Sequence, residues 1–304
     1  MEELVEMRVR TRTPKAELDK KVGKIITERD YNVRLTGPTK VTLPNGKPLA
    51  IYLPRILQGA DHASIYTTLH DIRTTTNNRY LASGTPGMRK NKQNISKPIM
   101  SNLIGNVDAM SGRFPYCRTT AWTGRNTEAF RDCYPTFDRI AAELKRYVPD
   151  RYENQMQRAR STPPEWIVGK TPFTTMTVNN TYPTGVHKDA GDLESGFSCL
   201  AVWRRGHYSG GHLTFPEYRL AVDMQDGDLL LMDAHEWHGN TELTLHSDDA
   251  ERISLVLYYR TKMIACGTLD DEADKERAAK RKVFKPISKE QMDLDAMKEF
   301  TTTV

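Results

Sequence analysis

Nothing in this sequence approaches the roughly 18 consecutive apolar residues that a membrane span needs, and its mean hydropathy is −0.63. A helical membrane protein is therefore not expected. The first 30 residues are charged where a secretory signal would carry an apolar stretch. That points to an intracellular chain: cytoplasmic, in a host's cytoplasm if viral, or nuclear if eukaryotic. Cysteine is scarce. The four present, Cys117, Cys133, Cys199 and Cys266, show no CxxC spacing, so neither a zinc ribbon nor a disulfide framework is suggested and reduced thiols are expected. A large charge of one sign is missing too. Forty-four Lys+Arg against 39 Asp+Glu leave +5, which is compatible with a polyanionic partner but ordinary in itself.

What is present is 304 residues, 38% of them hydrophobic and 27% charged, enough for one large or two small globular domains. Residues 1–36 form a charged, weakly periodic N-terminal segment. In VTLPNGKPLAIYL (from Val41), Asn45-Gly46 between two β-prone runs predicts a hairpin. Leu57 to Ile72 repeats apolar residues at helical spacing. Residues 73–107 then contain Arg73, Arg79, Arg89, Lys90, Lys92 and Lys97 and no acid; a segment of this kind is functional or a solvated insertion. Phe130 to Tyr147 has an amphipathic helical pattern, with Pro135 leaving its start open. From Thr171 to Arg260 five β-rich runs are separated by Gly, Asp and Asn turns, the spacing of an all-β barrel or sandwich. The tail from Leu269 is charged and helix-prone, broken at Pro286, and reads as a solvated helix; AKRK, from Ala279, is a weak nuclear-import signal.

Six of the eight histidines fall between positions 187 and 246. His187-Lys188-Asp189 at the end of a strand aims an imidazole and a carboxylate at one point. With one more histidine it makes a 2-His-1-carboxylate face, which holds Fe(II) and leaves positions open for a bidentate co-substrate and O2. Alone, HxD is weak evidence. The segment from Asp226 to Asn240 offers His235 and His238; His238 is preferred because small Gly239 allows close packing beside the metal. Arg252 lies 14 residues further on (252 − 238), and strand alternation puts it on the same face as Ser254. An arginine facing into a barrel requires an anion, either a protein carboxylate or the far carboxylate of 2-oxoglutarate held by a bidentate pair.

YPTGVHKDAGD, GGHLTFPEY, DGDLLLMDAHEWHGNT and RISLVLYYR, with RFPYCRTTAWT upstream (Arg113 to Thr123), resemble the TET/JBP branch of Fe(II)/2-oxoglutarate dioxygenases, which oxidise the 5-methyl group of pyrimidines in nucleic acid. The resemblance covers about positions 95 to 262. It implies an α+β fold with a double-stranded β-helix (jelly-roll, cupin-like) barrel over about 171–262. N-terminal helices pack on that barrel inside a dioxygenase domain of about 37–267, followed by a charged helical tail, 268–304. It further implies Fe(II) at His187, Asp189 and His238, and 2-oxoglutarate at Arg252, Ser254 and His212, with Asn179 and Arg118 nearby. It implies O2 as the oxidant and double-stranded, methylated DNA as the partner, and a monomer is expected. TET members carry an asparagine and a histidine where this chain has Asp192 and Arg260. Those two are the expected base contacts, and they leave the choice between 5-methylcytosine and thymine open. Trp203, Tyr208, Trp237 and Tyr259 are available to stack on a flipped base, although each is more often core than stacking platform, and Arg89, Lys90 and Lys92 are candidate phosphate contacts. The alternatives are the same iron chemistry on an amino acid, peptide or other small molecule, and a barrel that reads nucleic acid without catalysis. The basic segment favours DNA, and an intact triad disfavours a reader.

Overall fold

In the computed structural model the described residues are 3–283, except 78, 80, 85–88, 91–92, 95–96 and 111–113. The first half mixes short strands with helices: β1 (Val5–Arg8), α1 (Lys15–Lys21), β2 (Val33–Leu35), β3 (Thr39–Thr42), β4 (Pro48–Leu53) and α2 (His62–His70). After them come β5 (Arg89–Lys90), β6 (Gln93–Asn94), β7 (Ser101–Val107), β8 (Arg118–Thr119), α3 (Ala121–Arg125), α4 (Thr127–Asp132), α5 (Tyr134–Tyr147) and α6 (Pro149–Arg160). Next are β9 (Thr175–Asn180), β10 (Ser198–Arg205), β11 (Tyr208–Gly210), β12 (Leu213–Phe215), β13 (Leu220–Val222) and β14 (Asp228–Met232). The last are β15 (Gly239–Asn240), β16 (Leu243–Leu245), β17 (Glu251–Tyr258) and α7 (Leu269–Val283). Local chemistry explains several boundaries. Gly46 turns between β3 and β4 with φ of +84°, a conformation that costs glycine least. Pro135 occupies the first turn of α5, where its missing N–H is not needed.

Two sheets carry the architecture. The larger runs β1-β3-β4-β14-β10-β17-β9-β7-β8, the smaller β15-β12-β13-β2. The order β14-β10-β17-β9, packed through its inner side chains on β12 and β13, matches a double-stranded β-helix core, and a backbone bridge joins His187 to His238. Strand alternation sorts the side chains. Cys199, Ala201 and Trp203 of β10, with Ile253, Leu255 and Leu257 of β17, pack outward on Phe137, Ile140 and Leu144 of α5. Leu200 and Val202 of β10, with Leu230 and Met232 of β14, point inward and meet Leu213 and Phe215 of β12 and Leu220 and Val222 of β13. Burying each such side chain stabilises the fold by about 1.5–3 kcal/mol.

Three features depart from the sequence-based expectation. The N-terminal residues are woven into both sheets: β1 pairs in parallel with β3, β2 pairs in parallel with β13, and Gly23 N donates to Val186 O at 2.8 Å. Their apolar positions are few because each strand adds only an edge. Cys117 and Cys266 are not reduced thiols but form a disulfide across 149 residues, with Cα atoms 5.8 Å apart; Cys133 and Cys199 are the buried free thiols. Spacing along the chain cannot reveal such a pair. The tail helix is docked rather than solvated at its start. Glu272 is buried and accepts hydrogen bonds from Cys117 N at 2.6 Å and Gly267 N at 2.8 Å. The break expected at Pro286 lies outside the described residues.

Buried Glu251 fastens α2 to the barrel. Its carboxylate accepts from Tyr66 Oη, from Arg73 Nη2 at 2.8 Å and from Asn180 Nδ2 at 2.9 Å, and it pairs with His70 Nδ1 at 2.8 Å. Burial disfavours the charge, but the hydrogen bonds of Tyr66, His70 and Asn180 outweigh it and hold the carboxyl below its ordinary pKa. This stabilisation is present at neutral pH and fades as the pH falls through the lowered pKa. Glu251→Ala is expected to cost about 3 kcal/mol, the order of magnitude for breaking a buried charged network. Urea unfolding at pH 7 checks it, and a loss under about 1 kcal/mol would count against the network.

Candidate active site

His187 and His238 face each other on paired backbones: His187 N donates to His238 O at 2.8 Å, and His238 N donates to His187 O at 3.0 Å. Glycines permit this closeness. A Cβ on Gly239 would lie 3.0 Å from Gly185 C and Val186 N, so Gly239 serves the approach of the two strands. The ring centroids are 4.4 Å apart. His187 Nδ1 lies 2.7 Å from Gly185 O and His238 Nδ1 2.9 Å from Glu236 O. With each Nδ1 proton donated to a carbonyl, the Nε2 lone pairs are left for a ligand. Asp189 completes the face, with Oδ1 3.4 Å from His187 Nε2 and Oδ2 3.8 Å from His238 Nε2. One donor atom from each of the three lies within 4.8 Å of the others. Two imidazole nitrogens and one carboxylate oxygen fit Fe(II) with coordination positions left open. Burial pushes His238 down to about 4, aided by the charge of His187. Burial opposes the Asp189 charge, yet the hydrogen bond and charge of His187 hold its carboxyl well below the usual range. His238 neutral and Asp189 ionised are the states a metal requires; burial opposes charge on His187, yet the hydrogen bond and charge of Asp189 raise its pKa, so a metal at this face would displace the His187 Nε2 proton.

The triad opens into a cavity of about 210 Å³ between the sheets. Along β17 alternate residues Arg252, Ser254, Val256 and Tyr258 line it, a span of about 20 Å at the usual rise per residue. At one end Arg252 is 4% exposed, and its Nη2 has no hydrogen-bond partner among the described residues. A buried guanidinium in that condition calls for an anion. Ser254 and Asn179 lie beside it, with Asn179 Nδ2 3.4 Å from Ser254 Oγ. At the other end are Asp192, Tyr258 and Arg260. Asp192 accepts from Ser198 Oγ at 2.5 Å, and burial together with the Asp189 charge pushes its carboxyl up to about 7. Arg260 is held by Asp108 through Nε. The walls between are Leu200, Leu213, Met232 and Val256.

Of the expected site residues, the structure thus brings together His187, Asp189, His238, Arg252, Ser254, Asn179, Asp192 and Arg260. It does not bring in the side chains of His212 and Arg118. His212 Nδ1 pairs with Asp223 Oδ1 at 3.2 Å, and Arg118 lies over the Phe114 ring at 4.0 Å. His235 turns aside to Asp233 at 3.2 Å. Trp203 and Tyr259 are fully buried and Tyr208 is 3% exposed, so these three aromatics belong to the packing. Trp237 sits under Lys188 Nζ at 5.2 Å. Arg89 and Lys90 form strand β5, and Lys92 lies outside the described residues. Sequence reasoning missed Arg79, Tyr182 and Tyr258 as cavity residues. Alternation from Arg252 could have found Tyr258. Arg79, which donates to Thr177 Oγ1 at 3.4 Å, gave only a basic-segment signal.

Fold and site together define a 2-His-1-carboxylate β-helix oxygenase scaffold. Tet_JBP, the oxygenase domain of the 2OGFeDO superfamily, matches residues 108–261, half of the chain, and the chain belongs to this family. It is 34% identical over 178 residues to the thymine dioxygenase JBP1 of Trypanosoma brucei brucei, covering 54% of this chain and 21% of that protein. Against the bifunctional helicase and thymine dioxygenase JBP2 of Trypanosoma brucei brucei (strain 927/4 GUTat10.1), identity is 30% over 261 residues, 85% of this chain and 22% of that protein. The chain therefore spans about a fifth of the length of these relatives. NgTET1, solved in complex with 5mC DNA, superposes with a TM-score of 0.58 at 16% identity, covering 84% of this chain and 90% of that one; this likeness concerns the fold.

Proposed function

We propose that this chain is an Fe(II)/2-oxoglutarate-dependent dioxygenase that hydroxylates the 5-methyl group of a pyrimidine in double-stranded DNA, acting as a monomer. The observation that carries the reading is the pairing, in one cavity, of the His187–Asp189–His238 face with buried Arg252, whose Nη2 has no hydrogen-bond partner among the described residues. Relatives named thymine dioxygenases, at 30–34% identity, favour thymine as the base.

Held at the triad, the metal with 2-oxoglutarate and O2 would supply the oxidation of the methyl C–H bond. The chain's own residues do the rest. Arg252 takes the distal carboxylate through a bidentate fork, with Ser254 adding a hydroxyl donor. Leu200, Leu213, Met232 and Val256 exclude water from the reacting centre. A 5-methyl group within a duplex cannot be enclosed in a cavity between sheets, so the base leaves the stack at a cost of a few kcal/mol. Asp192 and Arg260 then meet its polar edge, Asp192 accepting from thymine N3–H.

Mass spectrometry of nucleosides from DNA incubated with protein, Fe(II), 2-oxoglutarate and ascorbate tests this. 5-Hydroxymethyluridine-type product supports thymine, and a hydroxymethylcytosine product moves the assignment to 5-methylcytosine. Neither product, with succinate formed on small-molecule substrates, replaces the proposal with the small-molecule hydroxylase. The DNA assignment also predicts a salt effect from the basic segment. Changing Arg89, Lys90 and Lys92 together to alanine should flatten the slope of log K against log salt by about 0.9 for each phosphate that is no longer neutralised. Equal slopes for wild type and triple variant would remove these residues from the interface.

A further inference from the structure

We propose that the turn at Leu81–Gly84 holds the duplex open, with Leu81 entering the base stack where the extruded pyrimidine stood; this rests on the DNA reading above. Leu81 is 37% exposed and is one of five large apolar side chains exposed among the described residues. It belongs to none of the apolar clusters of the core. Arg79 and Ala82, on either side of it, line the catalytic cavity, which places Leu81 at the rim.

The turn is a fixed mount. Ser83 N donates to Arg79 O at 2.7 Å and Gly84 N to Leu81 O at 3.2 Å. It is fastened to the segment that leads into His187, because Gly185 N donates to Ala82 O at 3.1 Å and Tyr182 Oη donates to the same carbonyl. The approach is close enough that a Cβ on Gly185 would lie 2.8 Å from Gly84 Cα and 2.9 Å from Leu81 O. The rim residue and the metal face are therefore held at a set separation. Chemistry favours a wedge at such a place. Extrusion of one base leaves a gap walled by two aromatic faces, and an inserted aliphatic side chain replaces part of the missing stacking. Arg79 turns the other way, into the cavity beside Thr177, and offers a cation to the nucleotide that leaves the stack.

The test compares three substrates: a fully paired duplex, the same duplex mismatched at the target, and the single strand. A mismatch or a single strand already lacks the pairing that a wedge must offset. Leu81→Ala should lower kcat/KM about tenfold on the paired duplex and less than about twofold on the other two, and Leu81→Phe, which keeps the apolar bulk, should restore the paired value. With 2-aminopurine beside the target base and no cofactor added, wild type should raise the fluorescence on binding and Leu81→Ala should not. An equal reduction on all three substrates, or no reduction on the paired duplex, overturns the wedge while leaving the DNA reading intact. Wild type forming no hydroxymethyl nucleoside from any of the three overturns the DNA reading, and the wedge with it.

Discussion

Alanine at His187, Asp189 or His238 is expected to abolish Fe(II) binding and to reduce succinate formation by a factor on the order of 10³ or more, since two remaining donors no longer hold an open metal site. The fold should survive. His187 and His238 are joined through their backbones, and alanine leaves those hydrogen bonds in place. The comparison that discriminates is His235→Ala. His235 is the other histidine of the same segment, but its ring is engaged with Asp233 at 3.2 Å and with Asp192 O at 3.3 Å, so that variant should keep the metal. Titration calorimetry with Fe(II) under anaerobic conditions reads all four. Loss of metal in His235→Ala with retention in His238→Ala would mean that the ligand set is wrongly assigned.

Arg252→Lys is expected to raise the KM for 2-oxoglutarate about 10- to 100-fold, while the KM for DNA changes little. The charge stays, but the fork that grips a carboxylate with two parallel N–H donors disappears, and charge-assisted hydrogen bonds of that kind are worth about 1.5–3 kcal/mol. The effect should be large here because Arg252 is 4% exposed and water cannot stand in for the missing donor. Initial rates at saturating DNA and varied 2-oxoglutarate measure it. An unchanged co-substrate KM would remove Arg252 from this role and leave its buried guanidinium to be explained by another anion.

Much of the site was legible because its signals are local. HxD sits within three residues, and alternation along a strand has a period of two, so Arg252 and Ser254 could be put on one face without knowing which strands flank β17. The same alternation divides β10 and β17 into a helix-facing and a cavity-facing set. For His212 and Arg118, position along the chain did not say where the side chain would point. Each is near the barrel in sequence order, yet the side chain of His212 is held by Asp223 and that of Arg118 lies over Phe114. The aromatics could be weighed but not placed for a related reason: residue type says that a ring will be buried, as Trp203, Tyr208 and Tyr259 are, not whether core or cavity buries it.

By itself the sequence determined the β-rich second half, the hairpin at Asn45-Gly46, the amphipathic α5 and the order along the chain of the residues proposed for metal and co-substrate. All of these depend on periodicity or on turn chemistry within a few residues. Only the tertiary structure decided the Cys117–Cys266 bond across 149 residues, the burial of Glu272 in a helix that reads as solvated, and the weaving of residues 3–36 into both sheets. It alone turned Arg79 into the cavity while leaving Leu81 at its rim. These are meetings of segments far apart in the chain. What selects them is which surfaces remain to be covered once the barrel has closed, and no local pattern encodes that.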